Sequence, residues 1–139
     1  MNEEQWAVVD SYITDLLVAQ DAALEAALES SADAGLPSIN VTPNQGKLLM
    51  LLAKIQRART ILEIGTLGGY STIWLARGLP PDGRLITLEV DAHHAEVARA
   101  NIARAIVFGT PLEVVHAAGI IFHKGLPVFS ALFFAGSAE

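Results

Sequence analysis

Apolar residues recur at helical spacing from the start of the chain. Trp6, Val9, Ile13, Leu16 and Leu17, Leu24 and Leu28 fall on one stripe at intervals of three, four or seven. Asn2 and Gln5 have the form of a capping box ahead of it, each side chain satisfying the other residue's free backbone N–H. The stripe is interrupted at Gln20–Asp21, where a break is expected. Gly35-Leu36-Pro37 ends it, because glycine accepts a left-handed cap and proline cannot continue a helix. Thr42-Pro43 then reads as N-cap and first helical residue. Behind it Leu48, Leu49, Leu51, Leu52 and Ile55 predict a buried helix ending around Arg57–Arg59, where positive charge suits a helix C-terminus.

The period changes at residue 60. Thr60-Ile61-Leu62-Glu63-Ile64 is a short β-branched run and predicts a buried strand. A glycine-rich turn, Gly65-Thr66-Leu67-Gly68-Gly69, leads into a helix from Tyr70 to Arg77, and Pro80-Pro81-Asp82-Gly83 is a turn. Arg84–Glu89 predicts a second strand, and Asp91 caps a helix through Ala92–Ala105. This βαβα order implies parallel strands joined by a right-handed crossover. Further on, Leu112–Val115 predicts a third strand, Val128–Phe134 a fourth, and 117–124 a weakly patterned helix; Pro111 and Pro127 precede the two strands, where proline is tolerated. The expected fold class is α/β, with N-terminal helices beside a short, mostly parallel sheet.

Length and composition narrow the field. The chain has 139 residues, 52% of them hydrophobic and 17% charged, which suits one domain with a packed core. Cysteine is absent, which excludes disulfides, thiolate metal sites and a Cys nucleophile. The acidic opening Met1-Asn2-Glu3-Glu4 is unlike a secretion signal, and the longest uncharged apolar stretch, Gly125 to Ala138, is too short for a membrane helix. A cytoplasmic location is expected. Net charge is −6, with eight acids and no Lys or Arg in residues 1–46, then nine bases against seven acids. Neither part has the basic, aromatic character of a nucleic-acid-binding surface.

The candidate chemistry lies around the glycine-rich turn. Glycines at a strand-to-helix turn let backbone approach a ligand closely, and an acid ending the second strand can accept hydrogen bonds from both ribose hydroxyls. Gly65 and Glu89 are 24 residues apart, near the roughly 20 of dinucleotide folds. Gly-x-x-Gly-Gly is not the pyrophosphate-binding Gly-x-Gly-x-x-Gly, however, and Glu63 would repel a phosphate and attract a cation. A ligand with a ribose, a positive amine and no phosphate fits better, a description met by S-adenosylmethionine. For Glu63, capping of the following helix is an equal alternative.

These residues also carry a resemblance. Gly35-Leu36-Pro37, Val41-Thr42-Pro43-Asn44-Gln45-Gly46, Glu63-Ile64-Gly65-Thr66-Leu67-Gly68-Gly69-Tyr70-Ser71 and Thr87-Leu88-Glu89 resemble the class I S-adenosylmethionine-dependent O-methyltransferases of the catechol and caffeoyl-CoA type. Val9-Asp10-Ser11-Tyr12 with Leu16-Leu17 is similar to that family's N-terminal helix. The resemblance implies a Rossmann-like methyltransferase fold in one domain. Its parts are an N-terminal helical segment (1–35), a donor-binding βαβα unit (36–105) and a divergent apolar segment (106–139). It implies that Val41, Glu63, Gly65, Thr66, Ser71 and Glu89 contact the methyl donor. In that assignment Glu89 holds the ribose, Ser71 and the Gly65–Thr66 backbone the methionine end, and Val41 comes from a loop closing over it. The implied reaction is methyl transfer to a small hydroxylated, catechol-like acceptor, assisted by a divalent cation such as Mg²⁺.

The chain departs from the family after about residue 105. The family's metal-binding acids are replaced by Ala135 and Ser137, so no metal ligand and no catalytic residue is assigned. A catalytically incomplete relative, which binds the donor or only folds and self-associates, is therefore the alternative, with a dehydrogenase behind both. His93-His94 with Glu96 invites a metal reading, but adjacent helical side chains diverge by about 100°. His116 and His123 are read as core or surface residues, and Trp6 and Trp74 as packed in the core or an interface. The apolar residues of 106–139, among them Ile120, Phe122, Phe133 and Phe134, exceed what the remaining elements can cover, so a homodimer is expected.

Overall fold

The structure is a computed structural model that describes residues 2–19, 21–105, 112–116 and 131–135. Helices α1 (Glu3–Leu17), α2 (Ala22–Asp33) and α3 (Pro43–Ile55) precede strand β1 (Thr60–Ile64). Helix α4 (Tyr70–Ala76), strand β2 (Arg84–Glu89), helix α5 (Ala92–Ala105), and strands β3 (Leu112–His116) and β4 (Ala131–Ala135) follow.

The helix ends are set by local chemistry. Asn2 and Gln5 exchange the two capping-box hydrogen bonds at 2.9 and 3.0 Å. Asp21, where the apolar stripe was interrupted, caps α2 by accepting from the amides of Ala23 and Leu24. At the other end of α2 the Gly35 amide bonds to Ala32 O and the Leu36 amide to Ser31 O, with Gly35 left-handed at φ 74°. These are the paired bonds of a glycine-terminated helix.

The sheet order is β3-β2-β1-β4. β1 pairs parallel with β2 and β2 parallel with β3, while β4 pairs antiparallel with β1. The fourth strand, Ala131–Ala135 within the described residues, overlaps the apolar run Val128–Phe134 that predicts it, and an antiparallel neighbour needs no helical crossover. The expected helix 117–124, His123 and Ser137 lie outside the described residues. Ile61 and Leu85 on one sheet face pack with Ala53 of α3 and Leu75 and Ala76 of α4. Leu62, Ile64, Ile86 and Leu88 on the opposite face are half-buried. Apolar side chains on both faces are what a parallel sheet requires.

One expectation about burial is corrected and another is narrowed. In α3 the buried residues are Gly46 and Ala53, whereas Leu48, Leu51, Leu52 and Ile55 are exposed, Ile55 by 73%. Gly46 and Ala53 stand two turns apart on one face, and a Cβ at Gly46 would overlap the Trp74 ring. The small residues bring α3 close to α4, and that orientation turns the leucines outward. Of the two places expected for Trp6, the core is excluded, since it is 59% exposed, and Val9, Leu16 and Leu17 of the same stripe are exposed with it. Trp74, by contrast, is buried as expected. Helix α1 is tied to α3 by polar bonds: Asp10 accepts from Thr42 Oγ1 at 3.2 Å and Asn44 Nδ2 at 2.5 Å.

Candidate functional site

The parallel register places Glu63 beside Thr87 and Ile64 beside Leu88, so β1 and β2 end level with each other. The Gly65 amide extends their ladder by one bond, to Leu88 O at 2.9 Å. From there the chain turns through Leu67 at φ 50° and Gly69 at φ 82° into α4. Gly69 needs its missing side chain at that φ, and a Cβ there would also press within 3.2 Å of Ile102. The turn thus sits at the carboxyl ends of adjacent parallel strands, where open α/β sheets form ligand crevices.

Two buried carboxylates flank it. Glu63, 1% exposed, accepts from Ser71 Oγ at 2.6 Å and Thr72 Oγ1 at 2.5 Å, both in the first turn of α4. Burial pushes its pKa above the ordinary carboxylate value; the hydroxyls of Ser71, Thr72 and Thr87 oppose that rise and the nearby charge of Glu89 adds to it. Glu63 therefore anchors the first turn of the following helix through its side-chain hydroxyls.

Glu89 is engaged differently. Its Oε2 accepts from the amides of Thr66 at 3.1 Å and Leu67 at 2.7 Å, and its Oε1 from those of Val90 at 2.8 Å and Asp91 at 3.0 Å. These four bonds fill the usual acceptor capacity of a carboxylate. Any ribose hydroxyl must compete with the turn's own amides for them.

Of the six residues singled out in the sequence, Glu63, Gly65, Thr66, Ser71 and Glu89 gather around this turn. Val41 stands just ahead of α3 and packs on the apolar cluster that contains Tyr70, Ile73 and Trp74. Sequence reasoning missed three polar residues. Thr87 meets Thr66 hydroxyl to hydroxyl at 2.6 Å, and strand alternation from Glu89 could have placed it on that side. Thr72 is the second hydroxyl on Glu63. Asn101, buried in α5, donates to Gly68 O at 2.8 Å, and no sequence signal marks it.

Among the described residues the histidines do not assemble a metal centre. The His93 and His94 rings are 6.4 Å apart, with His93 Nε2 2.9 Å from Ala34 O and His94 Nδ1 4.0 Å from Glu89. His116 Nε2 lies 3.1 Å from Val90 O. Among the described residues no three His, Asp or Glu side chains gather where a metal ion could be held. The described residues thus do not fit the divalent cation that the resemblance implies. Also among them, no helix is long and apolar enough to cross a membrane.

The profile of a family described as O-methyltransferase matches residues 15–122. A catechol O-methyltransferase of Niastella koreensis is 60% identical over 105 residues, covering 76% of this chain and 48% of that protein. A catechol O-methyltransferase of Mycobacterium tuberculosis is 58% identical over 97 residues, covering 70% of this chain and 44% of that protein. Among solved structures, an O-methyltransferase from Bacillus cereus in complex with SAH superposes with a TM-score of 0.78 at 54% identity, covering 81% of this chain and 51% of that one. The fold is therefore Rossmann-like, as expected. The chain spans about half the length of these relatives.

Proposed function

Because the chain belongs to the O-methyltransferase family, we propose that it binds S-adenosylmethionine at the carboxyl ends of β1 and β2 and transfers the methyl group to a hydroxyl of a small, catechol-like acceptor. The observation that carries this reading is the pair of buried acids, Glu63 and Glu89, on neighbouring strand ends with the glycine-rich turn between them. The likeness to proteins named catechol O-methyltransferase and to a structure holding SAH supports it.

In this reading each side chain has one task. Glu63 faces the donor's ammonium group, and Ser71 and the Gly65–Thr66 backbone position its methionine end. Glu89 receives the ribose hydroxyls, exchanging them for the Thr66 and Leu67 amides it holds in the free protein. Val41, at the entrance to α3, closes over the donor and excludes water. When bound, the donor supplies an electrophilic methyl carbon on sulfur. Glu63, Ser71, the Gly65–Thr66 backbone and Glu89 would hold it while that methyl passes to an acceptor oxygen, with the carbon–sulfur electron pair left on sulfur and the acceptor's proton lost to solvent. The gain comes from alignment rather than from a protein nucleophile. The roles assigned are those of holding the donor, and no step is routed through a metal ion.

We also propose a homodimer acting in the cytoplasm. The surplus apolar surface expected in residues 106–139 falls mostly outside the described residues. The exposed faces of α1 and α3 supply a comparable reason for self-association.

Calorimetry with S-adenosylmethionine and S-adenosylhomocysteine, on the unaltered chain and Glu89→Ala, tests the donor reading. Binding by the first and loss in the second are expected. No binding by the unaltered chain would overturn it. Binding without turnover of a catechol panel, with and without Mg²⁺, would leave a donor-binding relative without catalysis.

A further inference from the structure

We infer that Asn101 is the positioning residue of the glycine-rich turn: its side-chain amide locks the Gly68–Gly69 peptide, and with it the donor-binding geometry. The donor part of this inference rests on the function proposed above; the turn part does not.

Asn101 lies on the inner face of α5 and is 2% exposed. A polar side chain buried that deeply must find partners, and this one finds them on three elements. Its Nδ2 donates to Gly68 O at 2.8 Å, and more weakly to Ala27 O at 3.3 Å and Ser31 Oγ at 3.4 Å. Its Oδ1 accepts from Ser30 Oγ at 2.5 Å and from the Arg104 guanidinium. The turn, α2 and α5 therefore meet at one amide group. The chains are close here: a Cβ on Gly68 would overlap Ser31 Oγ.

The consequence follows from peptide planarity. Holding the Gly68 carbonyl fixes the plane it shares with the Gly69 N–H, which points the opposite way. That N–H closes the turn on Thr66 O at 2.9 Å. The same plane sets the left-handed Gly69 from which α4 starts. It thereby sets where Ser71 and Thr72 stand relative to Glu63, and where the Thr66 and Leu67 amides meet Glu89. Asn101 acts on the donor through the turn.

Hydrogen exchange resolved by residue decides the matter, using Asn101→Ala, Asn101→Asp and the control Ser30→Ala in the full chain. Asn101→Asp keeps the shape but faces an oxygen toward the Gly68 carbonyl. Exchange of the Gly69, Thr66 and Leu67 amides should accelerate about tenfold or more in both Asn101 variants. The β1–β2 ladder amides should stay within about twofold, as should all of these in Ser30→Ala. Affinity for S-adenosylhomocysteine should fall about tenfold in the Asn101 variants. Uniform acceleration across turn and ladder, or an unchanged Gly69 amide, would overturn the inference by reducing Asn101 to a general packing role. If neither variant folds, a scalar coupling across the hydrogen bond from Asn101 Nδ2 to the Gly68 carbonyl carbon in the unaltered chain gives the answer: its presence supports the bond, and its absence refutes it. Failure of the unaltered chain to bind the donor would remove the methyl-donor reading alone, because the turn amides report on Asn101 without a ligand.

Discussion

Replacing Glu63 with Gln should move stability and donor binding in opposite directions. Glu63 is fully enclosed and its pKa is raised by burial, so the ionised form is the strained one. Removing a carboxylate from water costs several kcal/mol after relaxation. The Ser71 and Thr72 hydroxyls offset much of that cost, at about 1.5–3 kcal/mol for each bond to a charged group. A net cost then remains on the charged protein, because the pKa stays raised despite those bonds. Because the folded pKa lies above the unfolded one, Glu63 contributes its full stability below the ordinary carboxylate pKa. That contribution is lost as pH rises through the raised value.

Gln keeps the shape without the charge, and either hydroxyl can rotate to accept from its amide. Thermal melts between pH 4 and 8 should therefore coincide at pH 4, with Glu63→Gln melting progressively higher above it. Each kcal/mol of that cost opens a gap of roughly 3–5 °C at pH 8 for a domain of this size. At pH 8, losing the charged partner of the donor's ammonium should weaken S-adenosylmethionine binding about 10- to 100-fold. A variant that melts lower than the unaltered protein at pH 8, or one that binds the donor equally well, would refute the reasoning.

Three further outcomes are expected. Gly69→Ala forces a side chain into the left-handed region against Ile102 and should cost about 1–2 kcal/mol in denaturant melts. Asp21, whose pKa the Arg77 guanidinium holds below the ordinary carboxylate range, both caps α2 and pairs with Arg77 at 2.7 Å. Arg77→Ala should cost about 1 kcal/mol at pH 7, and the difference should shrink as acid protonates Asp21, as melts at pH 7 and below pH 3 would show. Leu16→Glu together with Leu51→Glu places charge on the exposed faces of α1 and α3; sedimentation should shift from dimer to a 14.8 kDa monomer, and an unchanged dimer would put the interface elsewhere.

Much of the fold was legible in the sequence because its signals are local. The Asn2–Gln5 capping box, the Asp21 break, Gly35 and Thr42-Pro43 each act within four residues. β-Branched runs and the glycine-rich turn similarly marked β1, β2 and the site between them. What only the tertiary structure decided are the partners brought from far along the chain. Periodicity identified the apolar residues of α3 but not which way they face, since that depended on Gly46 and Ala53 nestling against α4. An acid at the end of β2 was plain, yet one of its two oxygens went to backbone amides of a turn 22 and 23 residues earlier. Asn101 carried no mark at all, because its meaning lies in reaching Gly68, 33 residues away, and Ser30, 71 residues away. Capping and patterning are energies of neighbouring residues, whereas a buried polar side chain takes its role from whatever the closed chain places beside it.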